Sequence, residues 1–200
     1  MKTVIKEIKV FTIEDAKKDP ILMGKILDKH QDINTFQGWE EPITEGCIED
    51  LELKGFENID IAFSGFWSQG DGASFTGSVN IIKWIKANEP VKYRRLIGLI
   101  ESGLIDTDDN KIKRSGNYVH ENSTHLSLYF LMYGNLGTSA ANVSGLLDEL
   151  TEDIENSLIG LNKTIYKALE TYYYELQEKD NIIETIEAND YEFTEDGDIY

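Results

Sequence analysis

A single cysteine, Cys47, stands in 200 residues, so no disulfide can close within the chain and the bridged framework of small secreted folds is excluded. Prolines number only three, which leaves no proline-rich linker, and no apolar run approaches the roughly 20 residues that a membrane-spanning helix needs. Met1 to Val10 lack the apolar centre of a signal peptide. Together these absences lead to the expectation of a soluble chain in the cytoplasm, in which the Asn-x-Ser/Thr triplets at Asn122, Asn142 and Asn162 are chance matches to a glycosylation acceptor. Basic residues are scarce as well. Lys and Arg total 19 against 37 Asp and Glu, a net charge of −18, which disfavours direct contact with nucleic acid or with an anionic membrane.

Several motifs of common chemistry are also missing. The stretch GDGASFTG lacks the Gly-Lys-Ser/Thr ending of a phosphate loop, and Gly72 is not followed by glycine three residues on, as a dinucleotide fingerprint requires. His-Glu-x-x-His, Cys-x-x-Cys and Gly-x-Ser-x-Gly do not occur. The residues predict no cofactor, no bound metal and no assigned catalytic group, and the protein reads as a non-enzyme before it reads as an enzyme. Oligomeric state is not legible.

What is present centres on Phe63 to Gly77, FSGFWSQGDGASFTG. Ile59, Ile61, Phe63 and Trp67 alternate as one face of a strand, Ser68 to Ala73 turns the chain, and Phe75 to Trp84 runs back, with Gly70 and Gly72 supplying positive φ. The hydrogen-bonding groups Ser68, Gln69 and Asp71 beside Trp67 form a candidate small polar site with an aromatic wall. A second hairpin is expected from Asn117 to Tyr133. With a loop of Glu121 to Thr124 it places His120 and His125 face to face, about 5 Å apart at Cβ. Such a pair can decorate a turn, act as acid and base, activate Ser68 or Ser74 with Asp71 as orienting acid, or bind a metal with Glu121 or Asp71. The candidate ligand-binding residues are therefore Trp67, Ser68, Gln69, Asp71, His120 and His125, provided that the two turns meet at one end of a sheet.

Elsewhere, Thr3 to Ile13 reads as an opening strand. Pro20 begins a helix that ends near the surface residue His30, Trp39 lies in an exposed loop, and Ile43 to Phe56 forms a short amphipathic helix. After Pro90 a helix buries Tyr93, Leu96, Ile97 and Ile100 and leaves Lys92, Arg94 and Arg95 as a solvated basic face. Val143, Leu146, Leu150, Ile154, Leu158, Leu161, Ile165, Leu169, Tyr172 and Leu176 recur about every 3.7 residues, as in one long helix. Asp148, Glu149, Glu152, Asp153 and Glu155 crowd its first solvent face, and Ser139 to Tyr200 holds 16 acidic residues against 3 lysines. The tail from Tyr191 carries apolar anchors that can pack. The expected fold is one α+β domain over residues 1–200: an antiparallel sheet built from two hairpins, covered by helices, with a long C-terminal amphipathic helix.

The segments FSGFWSQGDGASFTG, SGNYVHENSTH and YEFTEDGDIY resemble a set found together in small bacteriophage and prophage proteins often labelled antitoxin-like, with SQGDGASF the specific part. The resemblance implies a phage origin, a role against a host system in the host cytoplasm, and one site shared by Ser68, Gln69, Asp71 and His120. Combined with the acidic C-terminal third, it leads to the expectation of an inhibitor. Its carboxylates would imitate the phosphate spacing of a duplex and bind a basic surface on a host defence or nucleic-acid-handling protein. The alternative expectation is a nucleotide-like small-molecule site, or an enzyme, between the 63–77 and 117–133 hairpins.

Overall fold

A computed structural model describes residues 7–108, 110–116, 118–134 and 140–200. Residues 3–6 of the expected opening strand, Asp109 of the polar turn and Asn117 of the second hairpin lie outside the described residues. The chain forms two compact units, one from residues 42–170 and one from both chain ends, residues 1–41 and 171–200.

The middle unit holds a four-stranded antiparallel sheet in the order β2-β3-β5-β6. It is built from two hairpins, as expected: β2 (Phe56–Phe63) with β3 (Ala73–Val79), and β5 (Lys111–Arg114) with β6 (Thr124–Ser127). The return strand stops at Val79 instead of continuing to Trp84. Asn80 accepts a hydrogen bond from the Lys83 N–H at 3.1 Å and caps α4 (Ile81–Asn88), so Ile81, Trp84 and Ile85 bury one helical face. The sequence period changes from two to 3.6 at that asparagine.

Preceding the sheet is α3 (Glu41–Leu53), and α5 (Arg94–Glu101) follows α4 with Tyr93 and Leu96 fully buried and Arg94 and Arg95 exposed. Two short strands, β4 (Ile105–Asp106) and β7 (Leu131–Met132), pair with each other. The long helix α6 (Ala140–Leu176) lines the core with Val143, Leu147, Leu150, Ile154, Leu158, Asn162, Ile165 and Leu169. Four positions differ from the expected stripe: Leu147 replaces Leu146, the polar Asn162 replaces Leu161, and Tyr172 and Leu176 are only half-buried. Phe56 and Phe75 meet edge to face at 5.2 Å inside this core, a geometry that suits the ring quadrupoles.

Between β3 and β5 the ladder is short, pairing Gly77 with Ile112 and Ser78 with Lys111 before the strands part. Side chains take over beyond that point. Arg114 donates from Nε to Ser74 Oγ at 2.9 Å and from Nη2 to the Ser74 carbonyl at 3.2 Å. Asn162 accepts from the Phe75 N–H at 3.1 Å and donates to the Glu121 carbonyl at 3.3 Å and Thr124 Oγ1 at 3.0 Å. A buried carboxamide thus ties α6 to β3 and to the loop before β6, satisfying backbone groups that a spreading sheet would strand.

The unit made from the chain ends pairs β1 (Val10–Thr12) with β8 (Glu192–Thr194), so the tail packs through Phe193. Around Phe193 gather Ile13 and Ala16 of α1 (Ile13–Ala16), Leu22, Met23 and Ile26 of α2 (Pro20–Lys29), and Ile182 and Ile186 of α7 (Lys179–Ala188). Thr12 and Asp15 form a capping box at α1, and the Thr12 bonds hold the Asp15 carboxyl below its ordinary value. Asp19 caps α2 with Pro20 in the first turn. Two expectations need correction here. His30 is half-buried, its ring 5.6 Å from that of Phe193 and its Nε2 2.9 Å from the Gly197 carbonyl, and Trp39 packs on Tyr172 and Tyr173 instead of standing free.

Candidate functional site

The segment between β2 and β3 is a closed loop. Ser64 N–H donates to the Gly72 carbonyl and Gly72 N–H to Ser64 Oγ, both at 2.9 Å. Within it, Asp71 Oδ2 accepts from the N–H groups of Trp67 at 2.8 Å and Ser68 at 2.7 Å, which pins the carboxylate to the turn it belongs to. Phe66 packs beside Phe63 and the Tyr166 ring, whose hydroxyl donates to the Gly65 carbonyl, so α6 supports the base of the loop. Trp67 is 71% exposed.

The other loop joins β5 to β6, with Ser115, Gly116 and residues 118–123 described in it, and it is longer than the Glu121-to-Thr124 turn expected from the sequence. Ser115 N–H donates to the Ser123 carbonyl at 2.7 Å, and Ser123 Oγ both accepts from the His120 N–H and donates to the His120 carbonyl. These bonds end β5 at Arg114 and begin β6 at Thr124, where Arg114 faces Thr124 and Lys113 faces His125. His120 and His125 therefore do not close the hairpin as a facing pair. His125 is an exposed strand residue, and among the described residues no hydrogen bond joins it to His120.

The two loops do meet at one end of the sheet. Ser64 Oγ lies 3.4 Å from the Val119 carbonyl, and a Cβ added to Gly72 would stand 2.9 Å from His120 Cα. A Cβ on Gly70 would meet the Tyr118 hydroxyl at 2.9 Å. Neither Gly70 nor Gly72 has positive φ, so these glycines serve close approach of the second loop and not the left-handed backbone expected of them. Between the loops is a cleft of about 440 Å³ lined by Ser64, Ser68, Gln69, Gly70, Asp71, Tyr118 and Val119. Of the candidates, Ser68, Gln69 and Asp71 share it and His120 sits behind Gly72. Trp67 and His125 are not among its walls.

His120 is engaged on both nitrogens. Asn122 N–H donates to Nδ1 at 3.3 Å, which places the proton of the neutral ring on Nε2, 3.0 Å from Glu121 Oε2. Ser74 is buried and its hydroxyl receives Arg114. The geometry thus presents no His120 nitrogen to Ser68 or Ser74 as a nucleophile's base, and no cluster of three or more His, Cys, Asp or Glu side chains able to hold a metal occurs among the described residues.

On α6, Asp153 accepts from Lys92 Nζ and from the Tyr93 hydroxyl, each at 2.6 Å, and Glu149 lies 3.8 Å from Lys92. Lys92, then Tyr93, holds the Asp153 carboxyl below its ordinary value. Burial foremost, then the bond to Asp153, pushes the Tyr93 hydroxyl up to about 12. Two members of the expected acidic face are therefore committed to an internal ion cluster, and Asp148, Glu152 and Glu155 remain exposed without an ion pair among the described residues.

The sequence profile of a domain of unknown function, DUF8835, matches residues 33–179, a span that encloses the whole middle unit and both loops. The chain belongs to the DUF8835 family. No curated protein and no solved structure matches it. The DUF8835 span leaves out β1, α1, α2, almost all of α7, and β8, and includes every candidate site residue. No helix among the described residues is long and apolar enough to cross a membrane. Sequence reasoning missed Tyr118 and Val119, which were read as strand, and Asn162, which holds the second loop in place; its one available signal is a carboxamide in the middle of an apolar helical stripe.

Proposed function

We propose that the protein is a phage-encoded, non-catalytic inhibitor that works in the host cytoplasm by docking an acidic surface on a basic surface of a host defence or nucleic-acid-handling protein. One observation carries this reading. Lys9, Lys17, Lys18, Lys25, Lys29, Lys83, Lys86, Lys92 and Lys167 already face carboxylates of the chain itself, while Asp148, Glu152 and Glu155 stand exposed on α6 without such a partner among the described residues. Their separations correspond to axial steps of about 6 and 4.5 Å, of the order of the roughly 3.4 Å rise per phosphate on one DNA strand. Charge arranged in this way accelerates association and is screened by salt.

The test is capture of a host partner followed by salt-dependent affinity measurement with Asp148→Asn/Glu152→Gln/Glu155→Gln. At least tenfold weaker binding and a shallower salt dependence are expected. An affinity indifferent to these three changes rules the reading out. A second reading, a nucleotide-like ligand between the two loops, is favoured by the meeting of the loops around a cleft. Thermal shift by a nucleotide that vanishes in Asp71→Asn would put it in place of the first.

A further inference from the structure

The cleft between the loops has a definite chemical bias. Its walls offer acceptors on one side, the Ser68 hydroxyl, the Gln69 amide and Asp71, and the Tyr118 ring and hydroxyl on the other, and among the described residues neither Lys nor Arg lines it. Among the described residues Asp71 is the only charged group in that lining. Its Oδ2 is consumed by two backbone amides, which fixes the carboxylate's direction, and Oδ1 takes no internal hydrogen bond among the described residues. Tyr118 is 67% exposed, so its ring face is open to a ligand. An anion entering here meets a carboxylate and no cation, whereas a planar cation meets a fixed carboxylate, neutral acceptors and an aromatic face.

We propose that this cleft binds a guanidinium group. Guanidinium carries five N–H donors in one plane and stacks on aromatic rings, which matches acceptors spread over two loops better than a compact ammonium does. A volume of about 440 Å³ accommodates the group with part of its stem. The group is either the arginine of a basic partner or a free guanidinium compound. In the first case the cleft adds a specific anchor to the diffuse attraction of the α6 carboxylates. The proposal rests on the proposed function only for that choice of source, and the two fail separately, because a small guanidinium probe needs no host partner and capture through α6 needs no cleft.

The experiment is an NMR titration of the full ¹⁵N-labelled chain with methylguanidinium, with a blocked Gly-Arg-Gly peptide, with its Gly-Lys-Gly counterpart and with inorganic phosphate. Methylguanidinium and the arginine peptide should shift the amide signals of Ser68, Gln69, Gly70, Asp71, Tyr118 and Val119 saturably, the lysine peptide at least several-fold less tightly, and phosphate should leave them in place. Asp71→Asn keeps an oxygen to accept the Trp67 and Ser68 amides while removing the charge, and should weaken the titration at least tenfold. Ser68→Ala, whose backbone amide still donates to Asp71, should weaken it less. An arginine peptide bound tenfold more tightly than methylguanidinium assigns the partner's arginine, and equal affinities assign a free compound. Shifts at these residues with phosphate, or guanidinium titrations identical in the parent and in Asp71→Asn, overturn the proposal.

Discussion

Replacing Asn162 by alanine removes the acceptor of the Phe75 N–H and the donor to Glu121 and Thr124 in one step. Phe75 and Asn162 have no exposed surface, so water cannot replace the lost partner, and an orphaned buried N–H costs about 1–3 kcal/mol. The Glu121 carbonyl and the Thr124 hydroxyl belong to half-buried residues and recover most of their loss by hydration. The hole left by one carboxamide adds about 1 kcal/mol, and the better helix propensity of alanine returns about 0.5 kcal/mol. The balance is a loss of about 2–3 kcal/mol, or about 5–10 °C in Tm for a chain of this size. Asn162→Leu separates hydrogen bonding from volume. It fills the site with apolar surface and extends the helical stripe, yet leaves the Phe75 N–H alone, so it should still lose about 1–2 kcal/mol. Thermal melting and amide hydrogen exchange read both effects, and the Phe75 amide should lose protection in either variant. A leucine variant as stable as the parent, with Phe75 still protected, would refute the reasoning.

Two further outcomes follow from the same geometry. Gly72→Ala places a Cβ against the His120 backbone and should cost about 1–3 kcal/mol and shift signals in both loops, whereas Gly70→Ala meets only the far end of the exposed Tyr118 side chain and should stay within about 0.5 kcal/mol; equal losses in denaturant melts would break the argument. Tyr93 keeps its proton to about 12 in the folded chain and gives it up near 10 when unfolded, so its contribution is whole below pH 10 and is lost as pH rises towards 12. Tyr93→Phe should flatten the stability curve over that window while losing about 1 kcal/mol at neutral pH with the bond to Asp153; parallel curves above pH 10 would count against it.

How much of this was readable in the chain depends on the range of the forces involved. The helix α6 was legible because a period near 3.6 over ten apolar positions has no competing explanation, and the two hairpins were legible because each pairs strands close in sequence. The errors sit where neighbouring positions compete or a distant residue decides. A mean spacing of 3.7 cannot choose between Leu146 and Leu147, and in the folded chain it is Leu147 that is buried while Leu146 is only half-buried. Asn-Tyr-Val-His alternates well enough to read as strand. What removes Tyr118, Val119 and His120 from β5 is the Ser123 hydroxyl on the His120 backbone and the Asn162 carboxamide bonded to Glu121, 41 residues away.

The candidate site shows the same division. Ser68, Gln69 and Asp71 could be named from composition, because a glycine-flanked polar turn has few other uses for so many hydrogen-bonding groups. Tyr118 could not, since its place opposite Gly70 is set by the second loop. Asp71 could be named but not understood. Expected to orient a histidine, it instead spends one oxygen on its own turn, and His120 is satisfied by Glu121 and Asn122. That leaves a fixed carboxylate without a histidine partner, which turns the site from a candidate acid-base pair into a receptor for a cation. The distinction rests on two N–H bonds shorter than 3 Å and on a ring nitrogen already occupied, and neither is written in residue spacing.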